Sequence, residues 1–343
     1  MRENKTPALP PISVIVPCYK AASSLPACAA SILDGAPDNL ELLLVDDGSP
    51  DDTGRAADAL AAGDSRVHAL HRQNGGAGAA RNTGLNAAAG QWVLFVDADD
   101  TLLPGLWQAL PTALATDAAL ILYGLRRSAG AVPCPAAPGY YKSPAALGGA
   151  LEPLLFESGY LAAPYPKLFR ADLLHGANLR FDEHLAVNED VLFNLLFLQK
   201  STPIYCLAGV YYNQNDKVQG SLSRRLRGDL LAAEAKTRPA LAALCRVLAL
   251  PQEQTALLLQ KSRTRACLNQ YGLLTGCKGA LPFHQRKTLF AEILADAPAR
   301  AALREQLSAD PNRLLALPYR LGVAAGLPGW LAAYTALKNH FLP

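Results

Sequence analysis

Along the first hundred residues, short apolar runs alternate with longer segments of helical periodicity. Ile12–Val16, Glu41–Val45, Val67–His71 and Val93–Val96 read as strands, most of them buried: each is brief, rich in large or β-branched apolar residues, and followed by turn-formers or acids. Between them, residues 25–33, about 51–62 and about 79–89 carry helix patterns. Ser24 stands where an N-cap belongs, with Pro26 tolerated in the first turn, and Asp51 or Asp52 opens the second helix. A helix over 105–114 and a strand over 119–125 follow, and the Pro-, Gly- and Ala-rich residues 129–144 read as a surface loop. Ser143 is placed to cap a helix to about Phe156, residues 164–169 are extended, and Val191–Gln199 is an apolar-faced helix with Asn188 as its natural cap. Ile204–Asn213 is a strand, and from about Leu226 the pattern is helical, Arg/Lys on one side and Leu/Ala on the other. The expectation is an α/β fold: a mostly parallel sheet with right-handed crossovers, flanked by helices and followed by an α-helical C-terminal region. The expected divisions are a tail over 1–10, a sheet-bearing domain over 11–225 and a helical domain over 226–343.

The polar clusters fall at strand ends: Tyr19 after the first strand, Asp46-Asp47 after the second, and Asp97, Asp99 and Asp100 after the fourth. That edge is where open α/β sheets bind ligands. Period two puts Asp97 and Asp99 on one face and Asp100 on the other. Like charges there are costly without a cation or a donor network, and oxygen-only ligands suit a hard divalent ion that also takes a substrate phosphate. The bland alternative is that Asp99 or Asp100 caps the helix following Leu102. Asp46-Asp47-Gly48-Ser49 reads equally as a tight turn before a capped helix or as a carboxylate for a nucleobase, with the Tyr19 ring stacked on the base.

Gly75-Gly76-Ala77-Gly78 fails as a dinucleotide fingerprint, because it does not follow the first strand and lacks the third glycine. Its small residues instead let the helix pack closely on the sheet and aim Arg81 at the ligand edge; a surface salt bridge is the alternative for Arg81. Glu189-Asp190 opens a helix, where acids are favoured whatever their function. Arg224, Arg225 and Arg227 form a small basic cluster that reads as a solvated face or an anion contact.

Bulk properties narrow the classes. The chain of 343 residues is long enough for two domains, and its net charge of +3 makes no case for nucleic acid. Seven scattered cysteines, with no CxxC, read as reduced thiols of a cytosolic protein. The polar start lacks the apolar core of a signal peptide. The 17 uncharged residues between Arg320 and Lys338, broken by Pro328-Gly329, favour a helix pair at a membrane interface or docked on the other domain over a transmembrane span.

Together the motifs resemble glycosyltransferase family 2, the inverting transferases of GT-A fold, in its bacterial surface-polysaccharide branch. The resemblance rests on Ser13-Val-Ile-Val-Pro-Cys-Tyr19, on Val45-Asp-Asp-Gly-Ser through Thr53, on Asn74 through Ala80-Arg81-Asn82-Thr-Gly84, and on Phe95-Val-Asp-Ala-Asp-Asp100. Lys167-Leu-Phe-Arg170, Phe181-Asp-Glu183, Asn188-Glu-Asp190, Tyr211-Tyr212 and Gly220-Ser-Leu-Ser223 continue it, to about two-thirds of the chain. It implies a nucleotide diphosphate sugar donor, most often UDP-linked, Mn²⁺ or Mg²⁺, and a glycan or lipid-linked acceptor. By motif, Pro17 and Tyr19 would contact the base, Asp47 the uracil and Arg81 the base region. Asp97 and Ala98 would touch the donor, Asp97 also the ribose or metal, and Asp99 the metal. Asp190 would be the general base, with Glu189 beside it. Lys20 stands where the family commonly has Asn. No Gln-x-x-Arg-Trp follows Asp190, which argues against a processive polymerase. The implied location is cytoplasmic, free or peripheral on the inner face of the plasma membrane, with oligomerisation open. The competing class is a catalytically silent GT-A module that binds nucleotide or scaffolds an assembly. A sugar nucleotidyltransferase would need a Gly/Arg-rich loop where Pro17-Cys-Tyr-Lys20 stands.

Overall fold

The apolar runs become the centre of a mixed sheet in a computed structural model that describes residues 9–157, 160, 162–200, 202–215, 229–276, 281–309 and 313–341. In chain order the first unit contains β1 (Ile12–Cys18), α1 (Leu25–Leu33), β2 (Leu40–Asp46), α2 (Thr53–Gly63), β3 (Val67–His71), α3 (Ala77–Ala87), β4 (Trp92–Phe95), β5 (Thr101–Leu102) and α4 (Leu106–Leu114). There follow β6 (Leu120–Arg127), β7 (Gly130–Val132), β8 (Gly139–Tyr141), β9 (Lys167–Arg170), α5 (Ala171–Gly176), α6 (Glu189–Leu198) and β10 (Ile204–Asn213). The sheet order is β3-β2-β1-β4-β9-β6-β10-β5, with β7 paired to β6 and β8 to β10. β1, β2, β3 and β4 are mutually parallel where they pair, so their carboxyl ends lie along one edge. Ile15, Val16, Leu44, Val45 and Val93 through Val96 have no exposure above 2 %, as strands covered on both faces require.

Beyond β4 the expected parallel order changes. β9 runs antiparallel between β4 and β6, β10 is parallel to β6, and β5 is antiparallel to β10. A four-residue strand has no periodicity that reports its orientation, so this part was not readable from pattern. The expected loop over 129–144 holds β7 and β8. Ser143 does not cap an α-helix: a 3-10 segment, Pro144–Ala150, and a π segment, Pro153–Glu157, follow it. Ser24 occupies the N-cap position of α1, but its hydroxyl donates to the Ala21 carbonyl. α4 starts at Leu106 behind Gly105, whose φ of 96° suits glycine, so neither Asp99 nor Asp100 caps it.

The small residues of α3 do bring that helix against the sheet: a Cβ on Gly84 would lie 2.4 Å from Ile15 Cγ2, and one on Gly78 3.3 Å from Phe181 Cβ. Phe95 makes edge-to-face contacts with Phe169, Phe181 and Phe193, and Phe181 stacks on Phe193 at 4.1 Å. This aromatic knot links β4 to β9 and α6. Register shifts around Val210 mark a bulge in β10 beside Gly209, and Tyr212 beyond it is fully buried.

The chain divides into two compact units: Met1–Leu185, Glu189–Gln219 and Ala243–Ala249 in one, Ala186–Asn188, Gly220–Ala242 and Leu250–Pro343 in the other. The second contains most of α7 (Leu230–Val247), then α8 (Gln252–Gly276), α9 (Phe283–Ala295), α10 (Ala297–Ser308), α11 (Arg313–Ala325) and α12 (Pro328–Phe341). Its core gathers Leu231, Cys267, Tyr271, Phe290, Ile293 and Leu331, among others. No described helix is long and apolar enough to cross a membrane. The tail over 1–8, the Gly220–Ser223 motif, the arginines 224, 225 and 227, the boundary at 225/226 and Cys277 lie outside the described residues.

Candidate active site

The parallel register sets Pro17 beside Val45 and Cys18 beside Asp46, so Tyr19 and Asp47 leave neighbouring strands together. Tyr19 is 47 % exposed, with the Lys20 ammonium 5.5 Å from its ring centroid, and Pro17 is half-buried. Asp47 is buried. Its carboxylate accepts the amides of Gly75 (3.0 Å) and Gly76 (2.7 Å) and pairs with Arg72, while Asn74 Nδ2 donates to its carbonyl (2.9 Å). Asp46 accepts Ser49 N (3.1 Å) and faces His71, which also meets Asp58 at 2.9 Å. The hydrogen bond to Asp58 leads the upward shift of the His71 pKa. The turn at 46–49 is therefore real, and Asp47 is tied to the loop after β3. Arg72 was missed by sequence reasoning, although the rule that singled out the other strand ends applies to it.

At the end of β4, one oxygen from each of Asp97, Asp99 and Asp100 lies within 4.8 Å of the others. They differ in what holds them. Asp100 is buried and accepts the Tyr212 hydroxyl (2.6 Å) and the Asn215 amide (2.7 Å). Tyr212 stacks on Tyr165 at 4.4 Å, and its hydroxyl accepts from Asp97 N (3.2 Å). Burial, then the charge of Asp97, push the Asp100 carboxyl up to about 8, and the same two causes raise Asp99. Ala98 between them is buried. Tyr165 had no legible signal, because it lies in an extended stretch with no pattern.

Arg81 is 4 % exposed, which removes the surface salt-bridge alternative. Its Nη1 donates to Asp190 Oδ1 at 2.7 Å and lies 3.8 Å from Glu189 Oε1; its Nη2 donates to Asp97 Oδ1 at 3.0 Å. Its guanidinium also lies 5.3 Å from the Phe181 ring centroid. Burial alone would lower the Arg81 pKa, but Asp190, Asp97 and Glu189 together hold it above its usual value. Asp190 is pushed up to about 7, chiefly by burial and further by Glu189 and Asp97, against the pull of Arg81. Burial also raises Glu189. Asn82, one residue on, clamps the approach to α6: its amide nitrogen donates to Phe181 O and Glu183 Oε1, and its oxygen accepts Phe181 N. Asn188 has a φ of 66°, a conformation asparagine tolerates. Lys167, buried at the start of β9, donates to the carbonyls of Tyr160, Ala163 (2.6 Å) and Tyr165 (3.2 Å). Burial pulls its pKa to about 7, yet three carbonyls match the three donors of the ammonium form.

A buried arginine thus joins the acid set on one strand end to an acid on a helix 109 residues away. The model described as "Glycosyl transferase family 2" matches residues 13–138. That stretch of the chain is similar to the family. The uncharacterized glycosyltransferase EpsJ of Bacillus subtilis (strain 168) is 31 % identical over 227 residues, 60 % of this chain and 62 % of EpsJ. The succinoglycan biosynthesis protein ExoO of Rhizobium meliloti (strain 1021) is 28 % identical over 242 residues, 66 % of each chain. The chain therefore spans less than two thirds of these relatives. A crystal structure of S. aureus TarS 1–349 in complex with UDP-GlcNAc superposes with a TM-score of 0.65 at 19 % identity, covering 96 % of this chain and 92 % of that one. That likeness shows the GT-A fold.

Proposed function

We propose that this chain is an inverting, metal-dependent, non-processive glycosyltransferase of family 2. It would move a sugar from a nucleotide diphosphate, UDP-linked by preference, to a hydroxyl of a surface glycan or lipid-linked acceptor. The observation that carries the reading is the Arg81 bridge, which joins the acid corner of β4 to Asp190 through a single guanidinium. UDP-GlcNAc bound to TarS and the succinoglycan role in the name of ExoO support the donor and acceptor classes.

The acid corner fits a divalent ion. Three carboxylates crowd together, burial and the charge of Asp97 raise the pKa of Asp99 and Asp100, and all donor atoms are oxygen. Asp100 is already occupied by Tyr212 and Asn215, so Asp99 and Asp97 would hold Mn²⁺ or Mg²⁺. Such an ion would supply Lewis-acid neutralisation of charge on the diphosphate. The protein's own part is proton transfer and orientation. Arg81 grips Asp190 by Oδ1 and leaves the other carboxylate oxygen to take the acceptor's hydroxyl proton. As that proton leaves, the acceptor oxygen bonds to the anomeric carbon, and the carbon–oxygen bond to the diphosphate breaks on the opposite face. The nucleoside diphosphate departs with the electron pair, through an oxocarbenium-like state. A base whose pKa lies near 7 is matched to neutral pH. Tyr19 and Pro17 would meet the base, with Asp47 holding the loop at 74–76 beneath it and Ala98 lining the donor side; Glu189 would orient the acceptor.

The test is hydrolysis and transfer from a panel of UDP-, GDP- and dTDP-sugars with Mn²⁺. Turnover of one donor, lost in Asp190→Asn while UDP still binds, supports the reading. UDP binding without turnover of any donor would assign the chain to the silent class.

A further inference from the structure

Within the helical unit, α11 and α12 form a hairpin that is apolar on both sides. Its inner face, with Tyr319, Val323, Leu331 and Ala332, belongs to the unit's core. Its outer face exposes Leu317 (46 %), Leu321 (56 %), Leu327 (50 %), Trp330 (50 %) and Leu337 (57 %). The other exposed positions between Ala316 and Lys338 are all alanine. Leu317 and Leu321 are one turn apart on α11, and Trp330 and Leu337 two turns apart on α12, so each helix carries a continuous outer stripe. A helix apolar all round belongs in a core or in lipid, not in water.

The charges around this face have one dominant sign. Residues 311–343 contain no Asp or Glu but carry Arg313, Arg320 and Lys338. Next to the hairpin's turn, Arg300 donates to Val323 O (3.1 Å) and Ala324 O (2.8 Å), and Arg304 to Ala324 O (2.8 Å). Lys287 lies against Gly329. Of the nearby acids, Asp296 caps α10 by accepting Ala299 N, Glu292 pairs with Arg263, and Glu305 adds one negative charge on α10. The 13 residues of α11 extend about 20 Å at 1.5 Å per residue, short of the roughly 30 Å hydrocarbon layer. Trp330 keeps its indole N–H on Pro318 O (2.9 Å) while its ring is half exposed, the amphipathic arrangement suited to a headgroup boundary.

We infer that the α11–α12 hairpin seats this chain on an anionic membrane surface. Leu321, Leu327 and Trp330 enter the headgroup–acyl boundary, and Lys287, Arg300 and Arg304 meet lipid phosphates. The helices lie in the interface and do not span it. A second copy of the chain fits this face less well. Self-pairing would set one basic collar against another, with no acid on either hairpin to receive it.

Flotation of the full chain with vesicles tests this. Binding is expected to phosphatidylcholine–phosphatidylglycerol vesicles, weaker binding to phosphatidylcholine alone, and loss of the difference at high salt. Leu327→Asp should weaken partitioning about tenfold or more, while Leu257→Asp, at a 46 % exposed position on α8, should leave it unchanged. Both sites are exposed, and unchanged circular dichroism verifies folding. Trp92 and Trp107 are 5 % exposed, so a blue shift of tryptophan emission on vesicle addition reports Trp330. No binding to anionic vesicles, or equal binding by Leu327→Asp, overturns the inference. A dimer that Leu327→Asp dissociates, with no vesicle binding, would assign the face to a second copy.

Discussion

The Asp46-Asp47 corner and the Asp97–Asp100 corner close β2 and β4, the two strands that flank β1. In sequence they look alike: a buried apolar strand running into adjacent acids. In the fold their surroundings differ. Asp47 is met by two backbone amides and an arginine, and Asp46 by the Ser49 amide and His71. At the other corner only Asp100 is comparably satisfied. Asp97 receives one N–H of Arg81 and the Tyr212 hydroxyl lies on its amide, while Asp99 receives no side-chain donor among the described residues. Donors, not acids, separate a corner that ties a loop in place from one that has room for a cation. A carboxylate met by several N–H groups is settled as an anion, whereas crowded carboxylates without them hold protons or recruit an ion.

The largest expected effect lies on the open side. Asp190→Asn should lower transfer by about 10²–10⁴-fold, the usual contribution of a general base, with UDP affinity retained in calorimetry. Next is Arg81→Met, which leaves Asp97, Glu189 and Asp190 without their shared cation. A loss of about 3–5 kcal/mol in unfolding free energy is expected at neutral pH, and a smaller loss near pH 5, where Asp190, raised to about 7, holds a proton; urea titrations at the two pH values read it. The sharpest contrast between the corners is the pair Asp47→Ala and Asp99→Ala. The first strands the Gly75 and Gly76 amides and Arg72, and should destabilise the chain by about 1–3 kcal/mol. The second should leave the stability of the metal-free chain unchanged or raise it, while abolishing the heat of Mn²⁺ binding. Equal loss of stability in both variants would erase the distinction. The smallest effect is on pH. Asp100, raised to about 8, and Asp190, raised to about 7, keep protons that an unfolded Asp gives up near its ordinary pKa of about 3.9. Between pH 5 and 7 the folded state therefore binds more protons than the unfolded one, and the metal-free chain should lose stability as pH rises. Added Mn²⁺ should flatten that slope by binding the folded form.

Much of the first unit was legible because its signals are local. Residues 25–33, 67–71 and 204–213 occupy the elements that the pattern predicts, and the acids stand at strand ends because a buried strand cannot hold them. The glycines of α3 announced a close helix–sheet contact that Gly84 and Ile15 make. Capping was read less well. Ser24 and Ser143 have suitable side chains in suitable places, but a hydroxyl with a nearer acceptor or no helix to cap does not serve as a cap.

The chain's own order of apolar runs and acids thus determined the sheet's central strands and the edge where chemistry gathers, since burial and side-chain period act over a few residues. Which acids are satisfied and which are open was decided only by tertiary structure. Arg81 meets Asp190 across 109 residues, and Tyr212 meets Asp100 across 112. The antiparallel insertion of β9 and the bulge in β10 bring Tyr165 and Tyr212 to that corner. A hydrogen bond depends on distance and angle in space, and no local pattern encodes a partner that far along the chain.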